Sequence, residues 1–398
     1  MTKRWSTYKS FLQKRGGFLF LTLLILISLL YSLLWLALGI LLITLLYVAL
    51  LKATQRFIKN TQIQLILRRS IQFLFILICS ICIRLFVFDV YIIPSKSMEN
   101  TLFSGDVILV NKLSYGPTIP KSASEIPWIG LLFSGSEKSS NPQQRWSGIG
   151  DIQRGDVVVF KRSKGKFAVK RCIGIAGDGF QIDEGVIYVN GRVYQESQDT
   201  KKRYQIQVSS PETFYQEVKT LPFEAKTNPT RDKEATFEMH LTKEELSQVQ
   251  ALTSVKNIHI LSEESYQRYV GYIEYYNDWN AINLGPVAIP KKGMKVRWKS
   301  TTFQLYKKIL EEHENVLVTQ KGNQFYIDGK LSSGYTFQKD YLFLMGDNRR
   351  NSQDSRHYGF VPQEQVVGKV THVVYSNHDN TFQWDRLFKK VPENQQGK

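Results

Sequence analysis

The first 70 residues contain no aspartate or glutamate, the whole chain of 398 has three cysteines, and its six histidines never fall at metal-ligand spacing. The missing acids are the most informative. Ten basic residues (Lys3, Arg4, Lys9, Lys14, Arg15, Lys52, Arg56, Lys59, Arg68 and Arg69) occupy that stretch and flank apolar runs, as charges that orient a membrane protein do. Of the formal charge of +17, only seven units remain for the other 328 residues. They form no stripe, which argues against a nucleic-acid partner. Three cysteines exclude a disulfide framework or a Cys-rich metal centre; Cys79, Cys82 and Cys172 read as small apolar fillers. His313-Glu314 lacks a second histidine four residues after His313, so a zinc-protease helix is excluded. No metal and no cofactor are expected.

What is present begins with "FLFLTLLILISLLYSLLWLALGILLITLLYVALL" (18–51), 34 residues without a charge. A helix of that length runs to roughly 50 Å, against a hydrocarbon core of about 30 Å. It reads as one span with an interfacial extension, too long for the apolar part of a cleavable signal peptide. A second apolar segment, 71–91, holds Arg84, which can snorkel, and Asp89. The intervening loop, 52–70, carries five basic residues, and the positive-inside rule assigns it to the cytoplasm and the C-terminal part to the outside. The N-terminal segment 1–17 is equally basic, and a single first span would put it outside too; the two charge counts conflict.

Beyond residue 105 the pattern turns strand-like: "DVILVNK", "DVVVFKR", "KFAVKRCIGIA" and "GVIYVNGRVY" are rich in β-branched and aromatic residues. Asn190-Gly191 and Asp328-Gly329 each sit between apolar alternations and signal type I′ hairpins. "IPWIGLLF" (126–133), inside a Pro/Gly/Ser-rich stretch, reads equally as a membrane contact or a buried strand. Residues 196–319 read as an inserted α+β subdomain, with capping boxes at Thr242–Glu245 and Thr301–Gln304, and 379–398 as a tail.

Three short stretches carry chemistry. In "KFAVKRC" alternation places Lys170 on one strand face with Ala168 and Cys172, a costly place for an amine unless it is neutral or paired. "PSKSM" (94–98) sets two serines two residues apart just after the second apolar segment. "MGDNRRNSQDSRHYGFVP" (345–362) packs Asp347, Asn348, Arg349, Ser352, Asp354 and Arg356 between apolar flanks, which calls for a satisfied scaffold of Asp–Arg pairs.

These stretches, in this order after two membrane segments, resemble the type I signal peptidase family over roughly residues 71–194 and 322–376. "WNAINLGPVAIPKKGMKV" is similar to members with a large second domain. The resemblance implies a mainly β catalytic domain (92–195 and 320–378), with an α+β insertion, anchored by N-terminal transmembrane helices. It implies a monomeric serine endopeptidase in a bacterial plasma membrane, catalytic domain outside, acting on preprotein signal peptides after Ala-x-Ala-like residues. Carried over by position, Ser97 matches the nucleophile and Lys170 the general base. Ser95 matches the oxyanion-hole hydroxyl that joins the Ser97 N–H, and Ser352 the serine that orients the amine. Asp354, Arg356 and Asp347 match structural support. Ile93, Pro94, Met98, Leu102 and Val169 match the lining of shallow substrate pockets. Three positions depart from the family: Asn100 stands where proline is usual, Arg350 where an acid is frequent, and Lys96 where a small residue is.

Two rivals remain. A penicillin-recognising Ser–Lys enzyme needs Ser-x-x-Lys on a helix, and the chain's Ser163–Lys166 lies in a Gly-containing basic turn with no Lys-Thr-Gly following. The non-enzymatic alternative is an inactive, membrane-anchored scaffold that uses the insertion for binding.

Overall fold

A computed structural model describes residues 20–132, 144–162, 166–197, 200–223, 228–229, 235–260, 279–378 and 381–393. The basic segment 1–17, Phe133, Ser163 and the end of the tail lie outside these residues. The chain divides into two compact units, 1–89 with 111–151, and 90–110 with 152–398.

The first unit holds three helices: α1 (Phe20–Leu30), α2 (Leu34–Phe57) and α3 (Thr61–Cys82), the last continuing through a π turn to Val87. The uncharged run 18–51 is therefore not one helix. α1 closes with Ser32 at φ +56°, Ser32 N–H on Leu29 O at 3.0 Å and Leu33 N–H on Ser28 O at 2.8 Å. That pairing is a Schellman stop, which satisfies the last carbonyls within the helix. α2 and the 27-residue helix from Thr61 to Val87 are each long and apolar enough to cross a membrane, at about 1.5 Å per residue.

Nor is 52–70 a loop. Lys52 and Arg56 belong to the end of α2, where a cation suits the helix dipole, and Arg68 and Arg69 to α3; three residues connect the helices. Asn60 caps α3 by accepting from Gln62 N–H at 3.0 Å and Ile63 N–H at 3.2 Å, and Tyr47 stacks on Phe75. Arg84, inside the second apolar segment, reaches Asp89 at 3.2 Å, and Lys112 reaches the same carboxylate at 3.0 Å. The run 126–132 is not a strand: Ile129–Leu132 form a 3-10 turn, and Trp128, half-exposed, lies under the Arg84 guanidinium.

Twelve strands matter to the rest: β1 (Phe88–Ile92), β2 (Val107–Asn111), β3 (Val157–Lys161), β4 (Phe167–Gly174), β5 (Gly179–Asp183), β6 (Val186–Val189), β7 (Lys202–Val208), β8 (Thr236–Leu241), β9 (Val255–Ile260), β10 (Leu284–Ala288), β11 (Tyr341–Met345) and β12 (Val366–Tyr375). A curled sheet runs β1-β2-β12-β3-β4-β11, with Val361–Pro362 beyond β11. Its concave core joins Ile93, Met98, Leu102, Ile108, Val157, Val159 and Val370. A second sheet, β10-β5-β6 with Arg192–Val193, packs with helix α6 (Ser300–Ile309, named after the insertion's α4, Pro211–Val218, and α5, Lys243–Gln250) around Phe180, Phe303, Phe343 and Phe360. Both hairpin signals appear as read: Asn190 (φ +53°), Gly191 (+73°), Asp328 (+49°) and Gly329 (+78°) are all left-handed, as type I′ requires.

The compact α+β insertion is narrower than 196–319. Strands β9-β7-β8 with α4 and α5 enclose a core of their own around Ile206, Phe214, Phe237 and Val249. From Leu284 the chain pairs with β5, and α6 buries Phe303 and Tyr306 in the main core. Burial, which the sequence pattern did not disclose, assigns 284–319 to the main core with β5 and β11. Thr242–Glu245 is the capping box expected, whereas Thr301–Gln304 lies inside α6, whose first turn is tied by Lys299 N–H on Thr302 Oγ1 at 2.9 Å.

Candidate active site

The chain leaves β1 through exposed Pro94 and Ser95 into a 3-10 turn, Lys96–Met98, in which Ser97 and Met98 are buried. Thr101 N–H then donates to Met98 O at 3.1 Å. With Glu99 at φ −53° and ψ 143° and Asn100 at φ +79°, this is a type II turn, whose third position favours Gly or Asn. Asn100 is thus more than a lost constraint: proline, fixed near −65°, cannot take that conformation.

β4 supplies the amine. Lys170 Nζ lies 2.7 Å from Ser97 Oγ and 2.9 Å from Val169 O, and the residue is only 4% exposed. Burial pushes its pKa from the ordinary lysine value down to about 8; Asp354 pulls it back up and Arg162 lowers it again. A desolvated ammonium is disfavoured, so an amine here gives up its proton near neutrality. Ser95 Oγ is 3.4 Å from Ser97 Oγ.

The loop after β11 backs this pair. Asn348 N–H donates to Ser97 O at 3.1 Å, and its side chain donates to Lys96 O at 3.1 Å and Glu99 Oε2 at 3.0 Å. Gly346 leaves no room for a side chain: a Cβ there would lie 2.2 Å from Ser352 Oγ and 2.5 Å from Ser97 O. Asp354 and Arg356 form the expected pair, with Nε and Nη2 both 2.9 Å from the carboxylate. Burial alone would raise the Asp354 pKa, and Arg356 and His357 hold it well below the usual carboxylate range.

Asp347 finds a partner that no local spacing indicates. Arg171, next to Lys170 and on the other strand face, meets it at 2.9 and 2.7 Å, and Thr101 Oγ1 donates to it at 2.6 Å. Arg171 is 1% and Asp347 0% exposed. Consecutive residues of β4 therefore serve the amine and the scaffold beneath it.

Of the remaining site residues, Ile93, Met98 and Leu102 are fully buried and Val169 packs against them in one apolar cluster, while Pro94 is exposed. Ser352 is brought beside Gly346, yet among the described residues its buried hydroxyl has no hydrogen-bond partner; the Lys170 amine is held by Ser97 and Val169 O instead. Gly346, Arg171 and Thr101 are the participants that residue-type reasoning passed over, and Asn348 was named only as a member of the polar cluster. The only signal for any of them is their adjacency to singled-out positions. No group of three or more His, Cys, Asp or Glu that could hold a metal occurs among the described residues.

Comparison with known proteins points to one family. The model of the family "Signal peptidase, peptidase S26" matches residues 66–266 and 283–375. Signal peptidase I of Helicobacter pylori is 26% identical over 326 residues, covering 77% of this chain and 86% of that protein. Signal peptidase I of Buchnera aphidicola (subsp. Baizongia pistaciae) is 27% identical over 317 residues, covering 79% and 75%. Signal peptidase I of Bacillus caldolyticus is 33% identical over a shorter stretch of 123 residues, covering 31% and 50%.

Proposed function

This chain belongs to the signal peptidase S26 family, and from that premise we propose that it removes N-terminal signal peptides with Ser97 as nucleophile and Lys170 as general base. It is a serine peptidase of the signal peptidase I type. The observation that carries the finer reading is the 2.7 Å contact between a serine oxygen and a buried amine whose pKa lies near 8.

The chemistry follows from that contact. The neutral amine takes the Ser97 hydroxyl proton as Oγ attacks the scissile carbonyl carbon. The resulting oxyanion is received by the Ser97 N–H, which as the second residue of a short 3-10 turn has no partner within it, and by the Ser95 hydroxyl; such donors supply a few kcal/mol. Lys170 then gives its proton to the leaving amine as the C–N bond breaks. A water, deprotonated by the same amine, attacks the acyl ester and returns Ser97–OH.

Binding fits an unpaired strand edge. On the β3 side Cys172 N–H donates to Asp156 O and Lys166 O accepts from Arg162 N–H, so alternation turns the backbone groups of Phe167 and Val169 to the opposite edge. Among the described residues β11 pairs with β4 only from Arg171 onward, which leaves that edge for an extended peptide. Ile93, Met98, Leu102 and Val169 would floor shallow pockets for Ala-sized residues one and three before the cut, with Pro94 beside them. Lys96, exposed between the serines, adds a cation there. The α2–α3 hairpin would anchor the enzyme in a bacterial plasma membrane, with the peptidase domain on the outer face and the enzyme working as a monomer on preproteins.

The inactive-scaffold alternative has no observation in its favour, since both reactive groups are retained and in contact. The test is to incubate the detergent-solubilised chain with a preprotein, beside Ser97→Ala. Cleavage by the parent alone is expected; equal cleavage by both would overturn the assignment.

A further inference from the structure

The insertion is joined to the main body at a neck that includes residues 196–197 and 200–202, and the neck meets the loop that backs the nucleophile. Lys201 N–H donates to Asp347 O at 3.0 Å, and Lys201 O accepts from Arg349 N–H at 3.2 Å, in a parallel bridge registered on Asn348. The residue between those two, Asn348, turns its own N–H the opposite way, onto Ser97 O at 3.1 Å. Residues 347–349 thus form an extended ribbon with the neck along one edge and the nucleophile turn along the other. Alternation of backbone groups makes this possible: odd positions face Lys201 and the even one faces Ser97.

Side chains fasten the same ribbon. Glu196 meets Arg349 Nη2 at 2.8 Å and also ion-pairs with Lys202. Arg349 is only 9% exposed, and its Nε, Nη1 and Nη2 make no hydrogen bond among the described residues, so the contact with Glu196 is one of charge alone. Glu196 is therefore the carboxylate that compensates a nearly buried guanidinium, and truncating one partner of such a pair leaves an uncompensated charge. Next along the chain, Arg350, the residue standing where the family often has an acid, lies with Nη1 2.7 Å from His240 Nε2 in β8. The departure from the family is thus matched inside the insertion by a ring nitrogen.

We propose that Glu196, at the neck of the insertion, is a positioning residue for the Ser97 nucleophile, acting through Arg349 and the 347–349 ribbon, so that the seating of the inserted subdomain sets the rate of acyl transfer. The proposal rests on the Ser97–Lys170 reading. Loss of the Glu196 charge releases Arg349 towards Asp347, the neighbouring buried carboxylate, and shifts the ribbon under Ser97 O. The substrate edge of β4 is untouched, so the effect belongs in kcat and not in KM.

The experiment compares the full chain in detergent with Glu196→Gln, Glu196→Asp and the double variant Glu196→Gln/Arg349→Met, on a fluorogenic peptide with Ala one and three residues before the cut. Displacing a reacting group by a fraction of an ångström costs on the order of tenfold to a hundredfold. Glu196→Gln is therefore expected to lose about tenfold or more in kcat with KM within about twofold, and with the parental denaturation midpoint. Glu196→Asp keeps the charge and should lose less; it carries the test where the Gln variant does not fold. The double variant removes the orphan charge and should recover part of kcat. Parental kcat in Glu196→Gln, or a loss that follows the denaturation midpoint alone, overturns the inference. An inert parent, or a Ser97→Ala chain as active as the parent, would instead sink the reading of the active site.

Discussion

Lys170→Met tests whether this fold gives up stability to keep an amine neutral. An ordinary lysine titrates near 10.4, whereas burial brings Lys170 down to about 8. That interval is equivalent to about 3 kcal/mol of disfavour for the charged form. Because the folded pKa is the lower one, the unfolded chain holds more protons between about pH 8 and 10.4, and stability rises with pH across that window. The penalty is whole below about 8, where the folded amine must carry its proton, and absent above about 10.4, where both states are neutral. Methionine keeps the stem without the charge. The variant should therefore gain up to about 3 kcal/mol on the parent at pH 6 relative to the same difference at about pH 10.5. The lost Ser97 hydrogen bond, worth about 1 kcal/mol, offsets the absolute gain at every pH and cancels from the comparison. Urea unfolding of both chains in one non-ionic detergent, followed by tryptophan fluorescence, reads the difference. Kinetics reads the same group: parental turnover should rise with unit slope to about pH 8 and level off, with roughly a tenth of the amine neutral at pH 7. A stability difference that does not change with pH, together with turnover still climbing tenfold above about pH 8.5, would refute the reasoning.

Other outcomes follow from close contacts. Gly346→Ala places a methyl 2.5 Å from Ser97 O; turnover should fall about a hundredfold, and adding Ser352→Gly should not restore it, because the backbone clash remains. Asp347→Asn leaves Arg171 buried without its charge partner, which should cost about 3–5 kcal/mol in unfolding experiments. The double change Asp347→Leu/Arg171→Met should cost less than the single one, and a larger loss in the double variant would contradict this account. Asn100→Gly should be near-silent in turnover, while Asn100→Pro should damage it, since φ is +79° at that position; a proline variant of full activity would show that the type II turn is dispensable.

The order of elements was legible in the chain. Uncharged length and basic flanks mark the helices apolar enough to cross a membrane, Asn-Gly and Asp-Gly mark the two hairpins, and alternation marks β3, β4 and β6, because these depend on local periodicity and turn chemistry. The serine, the lysine and the Asp354–Arg356 pair were named through the family resemblance, and the pair lies within one short loop. Helix ends were not. The Schellman stop at Ser32 and the absorption of Lys52 to Arg69 into helices depend on backbone hydrogen bonds that composition does not encode. The assignment of 284–319 to the main core was decided by what α6 packs against. Asp347 and Arg171 stand 176 residues apart, and Glu196 comes to Ser97 through Arg349 and Asn348, so only folding could reveal either link. The sequence by itself determined which groups are available for the proposed chemistry, since an amine and a hydroxyl must be encoded as such. The tertiary structure decided how they are held, because burial, which tunes the amine, and contacts across distant segments, which aim the serine, exist only in the packed chain.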